Sequence, residues 1–555
     1  MKAILACFFL ILILILISSS PSWSQTGNTI GLIRNDIESY NGYTMMSPIN
    51  SGNTYLIDNC GEEVNRWTSE YNPALTSHLT KNGNLLRTGR VQGTFYAGGA
   101  GGFVQLFDWS GDLIWESKLG ADFNYHQHHD VKPMPNGNIL VLAWEYNSPS
   151  KAIQLGRYPD EIADDGMWTE LILEIQPVGV SDFLVEWEWH MNDHLIQNFD
   201  QTKDNYGVLS EHPELIDINY EGSLDNIDRF HANALDYNEE LDQIVINSRN
   251  YNEFYIIDHS TSSEESAGHI GGMSGKGGDV LYRYGNPLTY DRGTAMDQKF
   301  YSQHGTNWID QGQYKNGLIV FNNGINRPQG SFSSVEIVVP EMDGTQYVIE
   351  PNTAFGPASF NFAYVGTPVS SFFSPRLSNA VVLPNENILI TEGQIGKFFE
   401  ITPDKEIVWE YINPVLGNNI STQGDNSPKS DVFASERYTV DYNGLIGDLI
   451  PTGPIELNSN YDCDIVQEEV AVEYERLDKV KLLENPIVNE LIIVNEDSQV
   501  LVFKTFDLFG REVLPTFRSS DNVIRKNLDV SVGCYFLQII NEVNYTTKTF
   551  KIIKG

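Results

Sequence analysis

Cysteine is scarce in this chain, with four in 555 residues. One, Cys7, lies in an amino-terminal leader, leaving Cys60, Cys463 and Cys534. An odd number cannot pair completely, so at most one intramolecular bridge is available. A Cys60–Cys463 bridge would staple the two ends of a long repeated region. The alternative is buried apolar thiols, the reading that suits Cys534 within Val532-Gly533-Cys534-Tyr535-Phe536. Basic residues are also few: 35 Lys and Arg face 74 Asp and Glu, a formal charge of −39. Phosphate backbones need a basic face, so nucleic acid is excluded as a partner. The acidic excess suits the solvated surface of a secreted protein. After the leader no apolar stretch approaches membrane length, so no spanning helix is expected. No Gly-rich loop ends in Lys-Ser or Lys-Thr, which removes a familiar nucleotide-phosphate cradle.

The leader, residues 1–24, has the form of a signal peptide. Lys2 is its charged flank, Leu5 to Ile17 its apolar core, and Ser22-Trp23-Ser24 places small residues at −3 and −1. Export is therefore expected.

The rest of the chain is dominated by repetition. His126 to Leu142 reads as a strand, a tight Asn136-Gly137 turn and the apolar run Ile139 to Leu142. Asn-Gly supplies the positive φ angles of a two-residue hairpin, and the run reads as a buried strand. The same pattern recurs around residues 79–86, 231–247, 304–322 and 376–390. Repeats of this length with about four strands each point to propeller blades. Residues 41–69 read as strands of a first blade, and because a propeller closes by pairing strands from the two ends of the chain, the segment 436–444 is its expected partner. Five internal repeats and this composite blade make six, although the spacing accommodates five to seven. The fold class expected is all-β: a six-bladed β-propeller over residues 25–450, a polar linker over 451–479, and a small β-sandwich over 480–555. The insertion 187–230 shows little strand pattern and is expected to form a helix and loop over one face. His190 and His194 in it have the i, i+4 spacing of metal ligands on a helix. No Glu adjoins the first as a zinc protease needs, so they are taken as packing or surface histidines, and no metal is expected.

Aligning the repeats on their hairpins sets His129 level with His231, and His304 opens the next repeat in a similar place. Innermost propeller strands line a central channel, so residues at equivalent positions converge near the axis. Arg249 ends the strand after His231 and adds a planar, always-charged donor suited to a tetrahedral oxyanion. His128 shares the site or merely flanks it, as His126 does. His78, His212, His259 and His269 fall outside the register and are left as structural residues.

At these residues the chain resembles the bacterial aryl-sulfate sulfotransferases. The matching strings are His128-His129-Asp130 before Pro135-Asn136-Gly137-Asn138, Phe230-His231-Ala232-Asn233 leading to Ser248-Arg249, and Ser302-Gln303-His304-Gly305. Ser374-Pro375-Arg376 with Leu389-Ile390-Thr391-Glu392-Gly393 completes the pattern, which covers roughly residues 40–445. The resemblance implies a six-bladed propeller that moves a sulfuryl group from a phenolic sulfate donor to a phenol acceptor, with no cofactor or nucleotide sulfate. It makes His304 the nucleophile, passing through a sulfohistidine. His129 and His231 would hold the sulfuryl oxygens, one of them protonating the leaving phenolate, and Arg249 would offset charge in the transition state. The tail also resembles a known module. Leu483-Glu484-Asn485-Pro486, Phe506 to Val513, Gly533 to Leu537 and the final Lys551 to Gly555 look like the carboxy-terminal sorting domain of the type IX secretion system. That implies the secretion machinery as a partner and an extracellular or surface-attached product. A noncatalytic binding or adhesion propeller and a sulfate-ester hydrolase are the alternative functions. The oligomeric state is not legible.

Overall fold

The structure, a computed structural model, describes residues 28–91, 97–120, 124–222, 227–425, 430–459, 463, 477, 480–483, 485–488, 490–496, 498–507, 511–541 and 547–555. The leader, most of the linker beyond residue 459, and Leu508 to Gly510 of the tail motif lie outside them. The chain divides into two compact units, residues 1–466 and 467–555.

Among the described residues, the larger unit has six antiparallel sheets of four or five strands, besides three two-stranded pairs. The first four each use four strands, whose first members are Pro73–Leu79, Tyr125–Pro133, Ala232–Asn238 and His304–Trp308. The fifth begins with Asn379–Val382 and ends with an added edge strand, Gly31–Asn35, from the other end of the chain. The sixth pairs Val432–Thr439 with Gly42–Pro48, followed by Asn53–Ile57 and Glu63–Thr68. The composite sheet expected from residues 41–69 and 436–444 therefore forms. The Gly31–Asn35 strand was not anticipated; it makes a second seam one sheet away. Each first strand touches the next, and the sixth touches the first, so the six make a closed cycle.

Strand chemistry explains this arrangement. Alternate residues of a strand face opposite sides of its sheet, and here both sides are buried. Ile139 and Val141 pack toward the first sheet with Leu86, Val104 and Trp115. Leu140 and Leu142, on the same strand, pack toward the third with Leu235 and Ile244. The fourth sheet repeats this, sending Leu318 and Val320 one way and Ile319 and Phe321 the other. One core fills each gap between neighbouring sheets, including that between the sixth and first, where Met45, Leu56 and Trp67 meet Leu79 and Leu85. Each such fully buried side chain contributes roughly 1.5–3 kcal/mol of burial free energy.

Cys60, in the turn before Glu63–Thr68, is bridged to Cys463, 403 residues away. Cys534 is free but half-buried, not the fully buried thiol its apolar neighbours suggested.

The expected helix in 187–230 does not form. Trp187, Trp189 and His190 belong to the strand Asp182–His190, with both tryptophans buried and Glu188 between them only half-buried. Among the described residues the rest of this segment holds short 3-10 turns and a parallel pair, Leu195–Ile196 with Ile216–Asp217. His190 therefore has no helical face to share with His194. Its Nδ1 lies 3.1 Å from Glu145. His194 is buried between Asp279 at 2.9 Å and the Ser266 carbonyl at 2.8 Å. Asp279 also meets His269 at 2.8 Å, so one carboxylate ties two imidazoles together.

The smaller unit has a three-stranded sheet, Val480–Leu482, Glu490–Asn495 and Val523–Asn527, and a four-stranded one. The second comprises Leu501–Phe506, Glu512–Ser519, Gly533–Asn541 and Thr547–Lys554. Residues of both sheets, including Leu491, Ile493, Phe503, Leu537 and Ile552, share one core.

Candidate active site

The first strands of the second, third and fourth sheets each carry a backbone irregularity where their histidines lie. Pairing slips between Val141 and Ala143 opposite His128 and His129, between Ala232 and Ala234, and between His304 and Asn307. An extra residue in one strand re-aims the side chains beside it. His129 and His231 take left-handed backbone, φ 47° and 46°, and Gly305 does so at 55°. Such conformations are strained for non-glycine residues and persist only where packing over-determines them. Here they turn equivalent histidines of neighbouring sheets toward one another.

His129 and His231 meet edge to face, with ring centroids 4.8 Å apart. Phe433, from the sixth sheet, lies 6.0 Å from the His129 ring and 6.2 Å from that of His304. It is a shared apolar neighbour of the two. Arg249 follows its strand, its backbone N–H donating to the His231 carbonyl at 3.2 Å. Gly98 and Gly99 pass over the cluster. Gly99 has φ 87°, and a Cβ there would stand 2.1 Å from the His129 ring, so only glycine fits.

Hydrogen bonds fix the imidazole of His304. The Asn323 amide donates to the carbonyls of Ser374 and Leu377, at 2.7 and 3.0 Å, which turns its oxygen toward His304. Nδ1 of His304 donates to that oxygen at 2.7 Å and approaches the Ser302 carbonyl at 3.2 Å. Both oxygens only accept, so Nδ1 carries the proton and Nε2 keeps its lone pair. Burial, reinforced by the Arg249 charge, pushes His304 down to about 3. It is a neutral imidazole at neutral pH, the state a nucleophile requires. His129 is held well below its ordinary value by burial, then by His231, His128, His304 and Arg249.

His231 differs, because its Nδ1 bonds the Asp228 carboxylate. The other oxygen of Asp228 accepts from Trp144 Nε1 at 3.1 Å. His128 is fully buried behind His129, not within the cluster that His129 forms with His231. Its ring stacks on Trp144 at 3.9 Å, and its two nitrogens contact His129 Nδ1 at 2.8 Å and Glu170 at 2.9 Å. The structure thus gathers His129, His231, His304 and Arg249 at one end of the cycle and sets His128 one layer back.

Farther along the same strands runs a narrow cavity of about 30 Å³, lined by Thr76, Asp130, Ala234, Gly305, Asn379 and Phe433 among others, one from each sheet. Beyond it, at the hairpin turns, opens a basin of about 780 Å³ lined by polar turn residues such as Asn136 and Asn238. The basin is the larger space, yet none of the three clustered histidines lines it.

A family model described as arylsulfotransferase (ASST) matches residues 21–428. The chain belongs to that family. Its general activity is therefore aryl sulfotransfer, and the histidine cluster lies within the matched span. No curated protein matches this family member. Among solved structures, a protein of unknown function from Bacteroides caccae is 11% identical with a TM-score of 0.37, covering 72% of this chain and 98% of its own. Apo AztD from Citrobacter koseri is 9% identical with a TM-score of 0.33, over 72% of this chain and 99% of its own. A virginiamycin B lyase from Staphylococcus aureus is 9% identical with a TM-score of 0.30, over 69% and 88%. At such scores the likenesses bear on no residue of the arylsulfotransferase site.

Sequence reasoning missed Asp228, Asn323, Glu170, Trp144 and Phe433. Only Asp228 carried a local signal, three residues before His231. The others reach the site from different strands or sheets.

Proposed function

We propose that the six sheets are the blades of a β-propeller, and that the protein is an exported enzyme transferring a sulfuryl group from a phenolic sulfate ester to a phenol through a sulfohistidine at His304. The observation that carries this reading is the enforced tautomer of His304. Asn323 commits Nδ1 as a donor, so Nε2 is a neutral lone pair beside a guanidinium and two further imidazoles.

These groups dictate the order of events. Nε2 of His304 attacks sulfur and the S–O bond breaks, its electron pair leaving with the phenolic oxygen. Arg249 offsets negative charge on the sulfuryl oxygens as they spread; one such donor is typically worth about 3–4 kcal/mol. His129 or His231 gives the leaving phenolate its proton. A second phenol enters, loses its proton to the same base and takes the sulfuryl group, restoring His304. The covalent intermediate makes the kinetics ping-pong. The leader and the tail resembling a type IX sorting domain support export followed by release or surface attachment, with the smaller unit addressing the secretion machinery.

Turnover of 4-nitrophenyl sulfate with phenol as acceptor tests the reading. His304→Ala is expected to lower the rate to background, and mass measurement of the quenched wild-type protein to show a sulfuryl adduct. Near-normal turnover by the variant would remove His304 from the role. Sulfate release without phenol and without an adduct would mark a hydrolase.

A further inference from the structure

Glu170 lies in the third strand of the second sheet, fully buried, with the imidazoles of His128 and His129 in line beyond it. One carboxyl oxygen accepts from the Ala232 N–H at 2.8 Å. The other contacts Nε2 of His128 at 2.9 Å, and Nδ1 of His128 contacts Nδ1 of His129 at 2.8 Å. Nε2 of His129 makes no hydrogen bond among the described residues. A fully buried carboxyl at the closed end of an imidazole chain needs an explanation, since an unpaired buried charge is costly.

We infer that Glu170, His128 and His129 form a proton relay in which Glu170 stores the proton that His129 exchanges with donor and acceptor phenols. The inference rests on the sulfohistidine reading above. Each short contact between two of these groups can hold only one proton, so the chain has two complementary settings. With Glu170 protonated, it donates to His128 Nε2, His128 Nδ1–H donates to His129 Nδ1, and His129 presents Nε2–H. With Glu170 ionised, His128 Nε2–H donates to it, His129 Nδ1–H donates to His128 Nδ1, and His129 presents a bare Nε2. As the donor's S–O bond breaks, the phenolic oxygen takes the proton from His129 Nε2. His129 Nδ1 is refilled from His128, and His128 Nε2 from Glu170, which becomes a carboxylate. When the acceptor phenol attacks sulfur, its proton enters at His129 Nε2 and all three shifts reverse. The N–S electron pair returns to His304, so atoms and charge balance over the cycle.

Three further features fit. The Trp144 stack holds the His128 plane in line with both partners. Burial, with Asp228 facing it, holds Glu170 up at about 8 against the opposing Ala232 N–H and His231. A carboxyl placed there changes hands near neutral pH. Burial pushes His128 down to about 3, so it conducts a proton without keeping one.

Glu170→Gln separates the two settings. The glutamine oxygen still accepts from Ala232, but its NH₂ can only donate to His128, locking His129 as a donor. Glutamine has no proton to pass on, so the first half-reaction loses its general acid, which a leaving group as good as nitrophenolate scarcely needs, and the second loses its base. Rapid-quench measurement with 4-nitrophenyl sulfate is expected to show a nitrophenolate burst and sulfuryl adduct forming within about tenfold of the wild-type rate. Transfer of that adduct to phenol should slow by about 100-fold or more, the scale of general base catalysis. Equal loss in both halves, or transfer at the wild-type rate, would overturn the relay. If the variant does not fold, the wild-type transfer step in H₂O–D₂O mixtures decides: a bowed proton inventory is expected, and a straight line refutes it. Absence of an adduct in the wild type would instead refute the sulfohistidine reading, so the two failures are distinguishable.

Discussion

His304 and His78 are both buried in the walls of the same cycle of strands, one at the start of its strand and the other near the end. His304 is pushed down to about 3, while His78 is raised to about 9. Burial opposes the charged form at both, so the partners decide. His304 faces an amide oxygen and a guanidinium. His78 meets the Glu436 carboxylate at 2.8 Å, and Glu436 also pairs with Lys132 at 3.4 Å, which in turn meets Asp236 at 3.1 Å. His304 is therefore kept neutral, whereas His78 belongs to an ion cluster beside the narrow cavity.

After loss of His304 itself, the largest change is expected from Arg249→Met. It removes the cation that both serves the transition state and depresses His304. Turnover number should fall by about 10²–10³. The acid limb of the pH–rate profile should move upward from about 3 toward the ordinary histidine range, because a His304 with a higher pKa is protonated, and silent, over more of the acid side. Steady-state assays with 4-nitrophenyl sulfate across pH measure both.

Asp228→Asn makes His231 more like His304. Turnover is expected to drop by roughly 10- to 100-fold, at the lower end of general acid–base effects, with little change in melting temperature. An unchanged rate would show that the carboxylate matters only for packing.

Glu436→Gln acts on the ion cluster. Transferase activity should stay within about threefold of wild type. Stability should fall by about 2 kcal/mol, below the usual cost of breaking a buried pair because Glu436 is a quarter exposed. The sign with pH is definite. His78, raised above its ordinary value, stabilises fully below about pH 6.5 and loses that contribution as pH rises through about 9. Glu436, held below the ordinary carboxylate range by His78 and Lys132, stabilises above about pH 4.5 and loses that contribution on acidification. Chemical denaturation of the wild type should therefore weaken between pH 6.5 and 9, and the variant should lose most of that slope.

The same contrast shows what a linear chain can reveal. The hairpins were legible because Asn-Gly turns and apolar runs are local, and the shared register of His129, His231 and His304 follows from them. The groups that set protonation were not. Glu170 sits in an ordinary-looking run, Met167–Val178, and Asn323 directly follows a strand of apolar residues. Their meaning arises only when different strands or sheets meet. The segment 187–230 misled for the opposite reason. A spacing of four between His190 and His194 suggests a helix, yet Trp187 and Trp189 alternate inward as strand residues do. The Gly31–Asn35 edge was missed because its partner strand lies more than 370 residues away.

Phe433 belongs to the strand that fastens the last sheet onto the beginning of the chain. The wall beside His129 and His304 is therefore absent until residues near 40 and near 435 have found each other, an event the 60–463 linkage then locks. The wall of the histidine cluster and the closure of the cycle are completed in one event, so a chain halted before Val432–Thr439 would carry all three imidazoles and lack the Phe433 ring that two of them share.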